Sequence, residues 1–98
     1  MSEPPSNSPT LVTRTVTISN TRGLHARAAA KFVTLAERYG ASVDVLRDGQ
    51  VVSARSIMGL MMLGAAMGDR VVISADGDGA EAAVATMAGL VEGKFGED

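Results

Sequence analysis

Residues 42–54 read "SVDVLRDGQVVSA": two short β-rich runs, "SVDVL" (42–46) and "VVSA" (51–54), set either side of "RDGQ". The Asp48-Gly49 pair in the middle is a strong hairpin signal. Upstream, "LVTRTVTIS" (11–19) alternates, with Val12, Val16 and Ile18 facing one way and Thr13, Thr15 and Thr17 the other. That is the pattern of a half-buried strand. Between this strand and the hairpin, "HARAAAKFVTLAERYG" (25–40) spaces Ala29, Phe32, Val33, Ala36 and Tyr39 as one helical face, with Gly40 as a stop. Downstream come an apolar, Met-rich short helix (56–68), a strand (69–75), a "DGDG" turn (76–79) and a final helix (80–95). The order is β-α-β-β-α-β-α. A hairpin between two strand–helix–strand units is the split βαβ arrangement. The fold class is therefore α+β, with four strands in one mostly antiparallel sheet and three helices on one face of it.

The bulk properties narrow the function. At 98 residues the chain is one domain with one core, read as spanning 11–95 after a disordered Pro/Ser-rich lead-in at 1–10. There is no cysteine, so no disulfide framework and no thiolate metal site is expected, and no metal or cofactor is called for. No apolar run is long enough to span a membrane, and the first ten residues do not resemble a signal peptide. A cytoplasmic protein without membrane insertion is the expectation. The net charge of −2 argues against a simple basic nucleic-acid binder. Its distribution is uneven: residues 1–41 carry a balance of +3 and residues 42–98 a balance of −5. Positive charge thus gathers around the one histidine of the chain, as a site for an anionic ligand or an acidic partner would require.

That histidine is His25, in "NTRGLHARAAAKF" (20–32), where a loop meets the first helix. The amides of Ala26, Arg27 and Ala28 in the first helical turn lack intrahelical partners and point outward, which makes an anion site. A neutral imidazole beside them can act as a nucleophile toward phosphorus. Arg22 and Arg27 can add charge-assisted contacts, and Gly23 lets the backbone turn sharply. A solvated surface histidine near a helix cap is the plain alternative. The residues alone lead to an anion site at a helix start and do not name the anion.

"GLHARAAAKFV" together with "SIMGLMML" resembles a known family, the histidine-containing phosphocarrier (HPr) proteins of the bacterial phosphoenolpyruvate-dependent phosphotransferase system. The resemblance covers residues 11–93 and implies the open-faced β-sandwich. The family pattern Gly-Leu/Ile-His-x-Arg-Pro falls on Gly23, Leu24, His25, Ala26 and Arg27, with Ala28 in place of the proline. It implies that His25 is phosphorylated through Nδ1 and that Arg27 steadies the phosphoryl group. His25 would take that group from enzyme I and pass it to an enzyme IIA-type acceptor. As such a carrier the chain forms a phosphohistidine intermediate and is not a turnover enzyme by itself. The second motif, Ser-Ile-Met-Gly, falls on Ser56 to Gly59, and in some members the serine is phosphorylated by a regulatory HPr serine kinase/phosphorylase. "HARAAAKF" and "GLMML" look more like the regulatory, nitrogen-linked type than the sugar-transport type.

Ser56 has a local explanation as well, since serine is among the best N-caps. The short helix can bury one side only, and Leu60 and Leu63 are expected to share that burial with one Met. Ile57, Met58 and Met61 then form an exposed docking patch near His25, together with Leu24 and rimmed by Arg22, Arg27, Lys31 and Arg55. A carrier presenting one face to successive partners is expected to be a monomer. The competing reading is a regulatory domain that binds an anionic metabolite, since split βαβ folds serve that role; a third is a structural interaction module in which His25 plays no part.

Overall fold

The computed structural model describes residues 11–97; the predicted lead-in at 1–10 lies outside them. The elements are β1 (Val12–Thr17), α1 (Ala26–Ala36), β2 (Ser42–Arg47), β3 (Gln50–Ser53), α2 (Ile57–Met62), β4 (Arg70–Asp76) and α3 (Ala80–Glu92), followed by a tight turn at Lys94–Gly96. The sheet order is β1-β4-β2-β3, and all three pairings are antiparallel. β4 is central because the hairpin folds back onto it: Val45 faces Ile73 and Val43 faces Ala75. On its other edge Val16 faces Val71. These residues join one buried core with Phe32, Leu60, Met87 and Val91 of the helices. Thr13, Thr15 and Thr17 are exposed, so the strand alternation reads through to two chemically different sheet faces. Asp48 and Gly49 both have positive φ (50° and 81°), the geometry of the two-residue hairpin turn.

Three helix ends differ from the sequence expectation, each for a local reason. α1 stops at Ala36 rather than at Gly40, because the next amides tighten: Arg38 N–H donates to the Leu35 carbonyl and Tyr39 N–H to that of Ala36. α2 is six residues long and stops at Met62. Beyond it Gly64 is left-handed (φ 64°), and the chain turns so that Ala65 is buried. None of Met58, Met61 and Met62 joins the core; Leu60, Leu63 and Ala65 fill that space instead. α3 ends at Glu92, and Lys94 and Phe95 then take left-handed φ values of 59° and 56°, reversing the chain instead of extending the helix to 95. Both the turn after α2 and the reversal after α3 bring chain to the beginning of α1. No helix among the described residues is long and apolar enough to cross a membrane.

Candidate functional site

The loop before α1 is pinned from below. Ile18 N–H donates to the Asp69 carbonyl (2.8 Å) and its own carbonyl accepts from Gly68 N–H (2.7 Å). Asn20 is fully buried, and its Nδ2 donates to the Gly23 carbonyl at 2.8 Å. Leu24 N–H reaches the Ala65 carbonyl at 2.9 Å. Gly23, at φ 66°, passes so close to the 65–66 segment that a Cβ there would stand 2.6 Å from the Ala65 oxygen and 2.9 Å from the Ala66 Cα. Glycine is therefore required twice over, by conformation and by space. The 63–69 segment that it packs against is braced in turn by Arg47, which donates to the Leu63 carbonyl and to Asp69.

His25 follows as the N-cap of α1, with extended backbone (φ −79°, ψ 179°). Its carbonyl accepts from Ala29 N–H at 2.8 Å, which leaves the amides of Ala26, Arg27 and Ala28 outside the helical ladder. The ring makes no capping bond, and no acidic residue stands in the first turn. Nothing in the helix itself therefore competes with an incoming anion for these donors. Arg27 is exposed, and its guanidinium makes no hydrogen bond or ion pair among the described residues. Arg22 is exposed beside the same loop. Ala28 is fully buried, so its methyl group packs into the core while its amide stays at the helix start.

The imidazole is tied down on its far side. Nε2 lies 3.0 Å and 2.9 Å from the two carboxylate oxygens of Glu97, which also accepts from Asn20 Nδ2 at 2.8 Å. The hydrogen bond from Asn20 is the main reason the Glu97 carboxyl titrates below its ordinary range. Partial desolvation opposes it, and the hydrogen bond and charge of His25 and the charge of Arg22 reinforce it. Nδ1 makes no hydrogen bond among the described residues and is the free nitrogen of the ring.

Other expected site residues fall differently. Leu24 is buried and is a core residue, so it does not offer a docking surface. Arg55 donates to the Tyr39 carbonyl past the C-terminal end of α1, about 16 Å along the helix from His25 at its rise per residue, and does not rim the histidine. Lys31 Nζ donates to the Phe95 carbonyl at 2.6 Å and holds the terminal turn. Ile57, Met58 and Met61 are exposed, as expected, and Met62 (71% exposed) joins them on α2, which packs against α1. Ser56 caps α2 by accepting from Gly59 N–H at 2.9 Å.

Asn20 and Glu97 were not legible as site residues. Asn20 stands in the loop next to the motif, but nothing in a polar loop residue announces burial. Glu97 is 72 positions from His25 and in the acidic half of the chain. Only the reversal at Lys94–Gly96 brings it there.

Comparison with known proteins agrees with this geometry. A family model described as "PTS HPr component phosphorylation site" matches residues 12–93. A phosphocarrier protein HPr from Cupriavidus necator is 41% identical over 87 residues, covering 89% of this chain and 98% of the relative. A phosphocarrier protein NPr from Shewanella violacea is 40% identical over 88 residues, covering 90% and 97%. Among solved structures, an HPr from Thermoanaerobacter tengcongensis superposes with a TM-score of 0.85 at 44% identity, covering 89% of this chain and 98% of that one.

Proposed function

The chain belongs to the HPr family of phosphotransferase-system phosphocarriers, and from that premise we propose that the phosphoryl group is carried on Nδ1 of His25. The group comes from the phosphohistidine of enzyme I and goes to an enzyme IIA-type acceptor. The amides of Ala26, Arg27 and Ala28 receive its oxygens, and the Arg27 guanidinium adds a charge-assisted contact. The observation that carries this reading is the uncapped helix start. His25 occupies the N-cap without using its ring as the cap, so a free ring nitrogen and free amides stand at one place. His25 keeps part of its surface exposed, so the group held there can leave again. Positioning and electrostatics, completed by the partner proteins, are what such a transfer needs.

Docking falls to the exposed apolar side of α2, Ile57, Met58 and Met61, whose adaptable side chains suit partners met in turn. Arg22 and Arg27 supply the positive charge at the histidine end. Ser56 is the regulatory position: a phosphate there, added by a serine kinase/phosphorylase, places negative charge beside the docking patch and repels an acidic partner surface while the fold persists.

Incubation with radiolabelled phosphoenolpyruvate and a partner enzyme I tests the central step. Acid-labile label should appear on His25 and be absent from a His25→Ala variant. Undiminished labelling of that variant would sink the assignment.

A further inference from the structure

The end of the chain is built in a way that ordinary helix termination does not require. A helix commonly closes with a single left-handed residue. Here Lys94, Phe95 and Gly96 are left-handed in succession (φ 59°, 56° and 75°), and two of the three carry side chains that disfavour it. Compensation comes from burial and hydrogen bonds. Phe95 is fully buried, its carbonyl accepts from Lys31 Nζ, Gly96 N–H donates to the Gly93 carbonyl and Glu97 N–H to that of Lys94. The product of this turn is the delivery of one carboxylate to Nε2 of His25. Asn20 fixes the same carboxylate, at the oxygen that lies 2.9 Å from Nε2. Its Nδ2 donates both to Glu97 and to the Gly23 carbonyl, so a flipped amide would set oxygen against two acceptors. Held by these contacts, the carboxylate stays ionised and acts only as an acceptor toward the ring.

We propose that Glu97 is a positioning residue for phosphoryl transfer: it accepts the Nε2 proton of His25, keeps Nδ1 as the lone-pair nitrogen, and balances the charge the ring gains as the nitrogen–phosphorus bond forms. This rests on the assignment of His25 Nδ1 as the phosphoryl carrier. In the neutral imidazole one nitrogen bears the proton and the other the lone pair, and the partner of the first decides which is which. A carboxylate can only accept, so it selects the Nε2–H tautomer. The Nδ1 lone pair then attacks the phosphorus of the donor's phosphohistidine. The new N–P bond forms as the old one breaks, and its electron pair returns to the donor ring. The Nε2 proton stays where it is throughout. The His25 ring, neutral before, bears a positive charge afterwards, and that charge lies against Glu97. Delivery to the acceptor runs the same steps in reverse. The division of labour is that of a carboxylate orienting a histidine in a hydrolytic triad, with phosphorus in place of an acyl group and no proton relay.

A strap that merely fastened the chain end would hold its place without affecting the ring's tautomer or the rate of transfer. Two variants separate these roles. Glu97→Gln keeps an acceptor and removes the charge; Glu97→Ala removes both. Nitrogen-15 spectra of the neutral ring should show Nε2–H almost alone in the wild type, with the Nδ1–H form growing in Glu97→Ala. Rapid-quench transfer from phospho-enzyme I should slow about 10-fold in Glu97→Ala, the worth of one charge-assisted hydrogen bond gained in the transition state, and less in Glu97→Gln. Label should still appear on His25 in both. Wild-type rates in both variants, or ring nitrogen shifts indifferent to position 97, would overturn the proposal while leaving His25 as the carrier. Absence of label from His25 in the wild type would instead remove the carrier assignment, and this inference with it.

Discussion

Two helices of this protein begin in opposite ways. α2 begins with Ser56, whose hydroxyl accepts from Gly59 N–H and satisfies the helix start from within. Gly59 fits that arrangement closely, because a Cβ there would lie 3.0 Å from the serine oxygen and 3.1 Å from Val52. α1 begins with His25, which leaves its first amides unsatisfied and turns its ring toward Glu97 instead. A capped start has completed its hydrogen bonding and contributes stability. An uncapped one leaves its donors available. The same fold thus holds a structural helix start and a functional one, and the difference lies in a single side chain at each.

The most severe way to break the contrast is to make α1 begin as α2 does. A His25→Ser variant should lose phosphoryl transfer completely. Its new cap contributes about 1 kcal/mol, so it should unfold at no lower denaturant concentration than the wild type even though Glu97 has lost one of its two partners. Retained acid-labile label together with a lowered midpoint would contradict both halves of the argument. Next in size is the approach to α1. Gly23→Ala forces a side chain into a left-handed position and against the Ala65 carbonyl. Strain of this kind, added to the clash, should cost roughly 2–4 kcal/mol and lower the urea midpoint accordingly. A variant as stable as the wild type would mean that the 65–66 segment yields freely, and that the site is less rigid than its hydrogen bonds indicate.

At α2 the expected effect is smaller and purely one of stability. Ser56→Ala should lose about 1 kcal/mol through the missing cap, while Ser56→Asp, which caps as well as serine and adds the negative charge favoured at a helix start, should keep most of it. Equal melting of the wild type and Ser56→Ala would show that the second helix start does not depend on its cap. A largely unfolded Ser56→Asp would remove the basis for a regulatory phosphate that spares the fold.

How much of this could be read from the chain depends on the range over which each feature is determined. The alternation of β1, the Asp48-Gly49 hairpin and the placing of His25 at a helix start are set by residues within a few positions of one another, and the structure has them all. So is the Ser56 cap. The helix ends were less legible because tertiary docking decides them. Gly64 and Ala65 leave α2 early to meet Leu24, and Phe95 leaves α3 to be buried beside Lys31. The docking role expected of Leu24 failed for the same reason, since the residue that contacts the Ala65 turn is thereby covered. The pairing of His25 with Glu97 was illegible altogether. It depends on a backbone reversal carried by Lys94 and Phe95, residue types that carry no turn signal. The basic surroundings expected for the histidine are accordingly half of the picture, because the fold brings one acid back to it.

The gentlest probe of the contrast is pH, because only the α1 start carries a titrating partner. The Glu97 carboxyl in the folded protein titrates below its ordinary 4.5, chiefly through Asn20 and further through His25 and Arg22, against the opposing effect of desolvation. A carboxyl whose folded pKa is depressed binds its proton more readily in the unfolded chain. Stability from it is therefore complete above 4.5 and is lost as pH falls through the lower folded value. The difference in unfolding midpoint between the wild type and Glu97→Gln should shrink as pH falls below that point. The corresponding difference for Ser56→Ala should carry no such slope, because a hydroxyl does not titrate there. Glu97 is solvent-accessible enough that the slope should be shallow and should weaken with added salt. A wild-type advantage that stays level to about pH 2 would mean that Asn20 and His25 do not hold the carboxylate in solution, and the two helix starts would then differ in their caps alone.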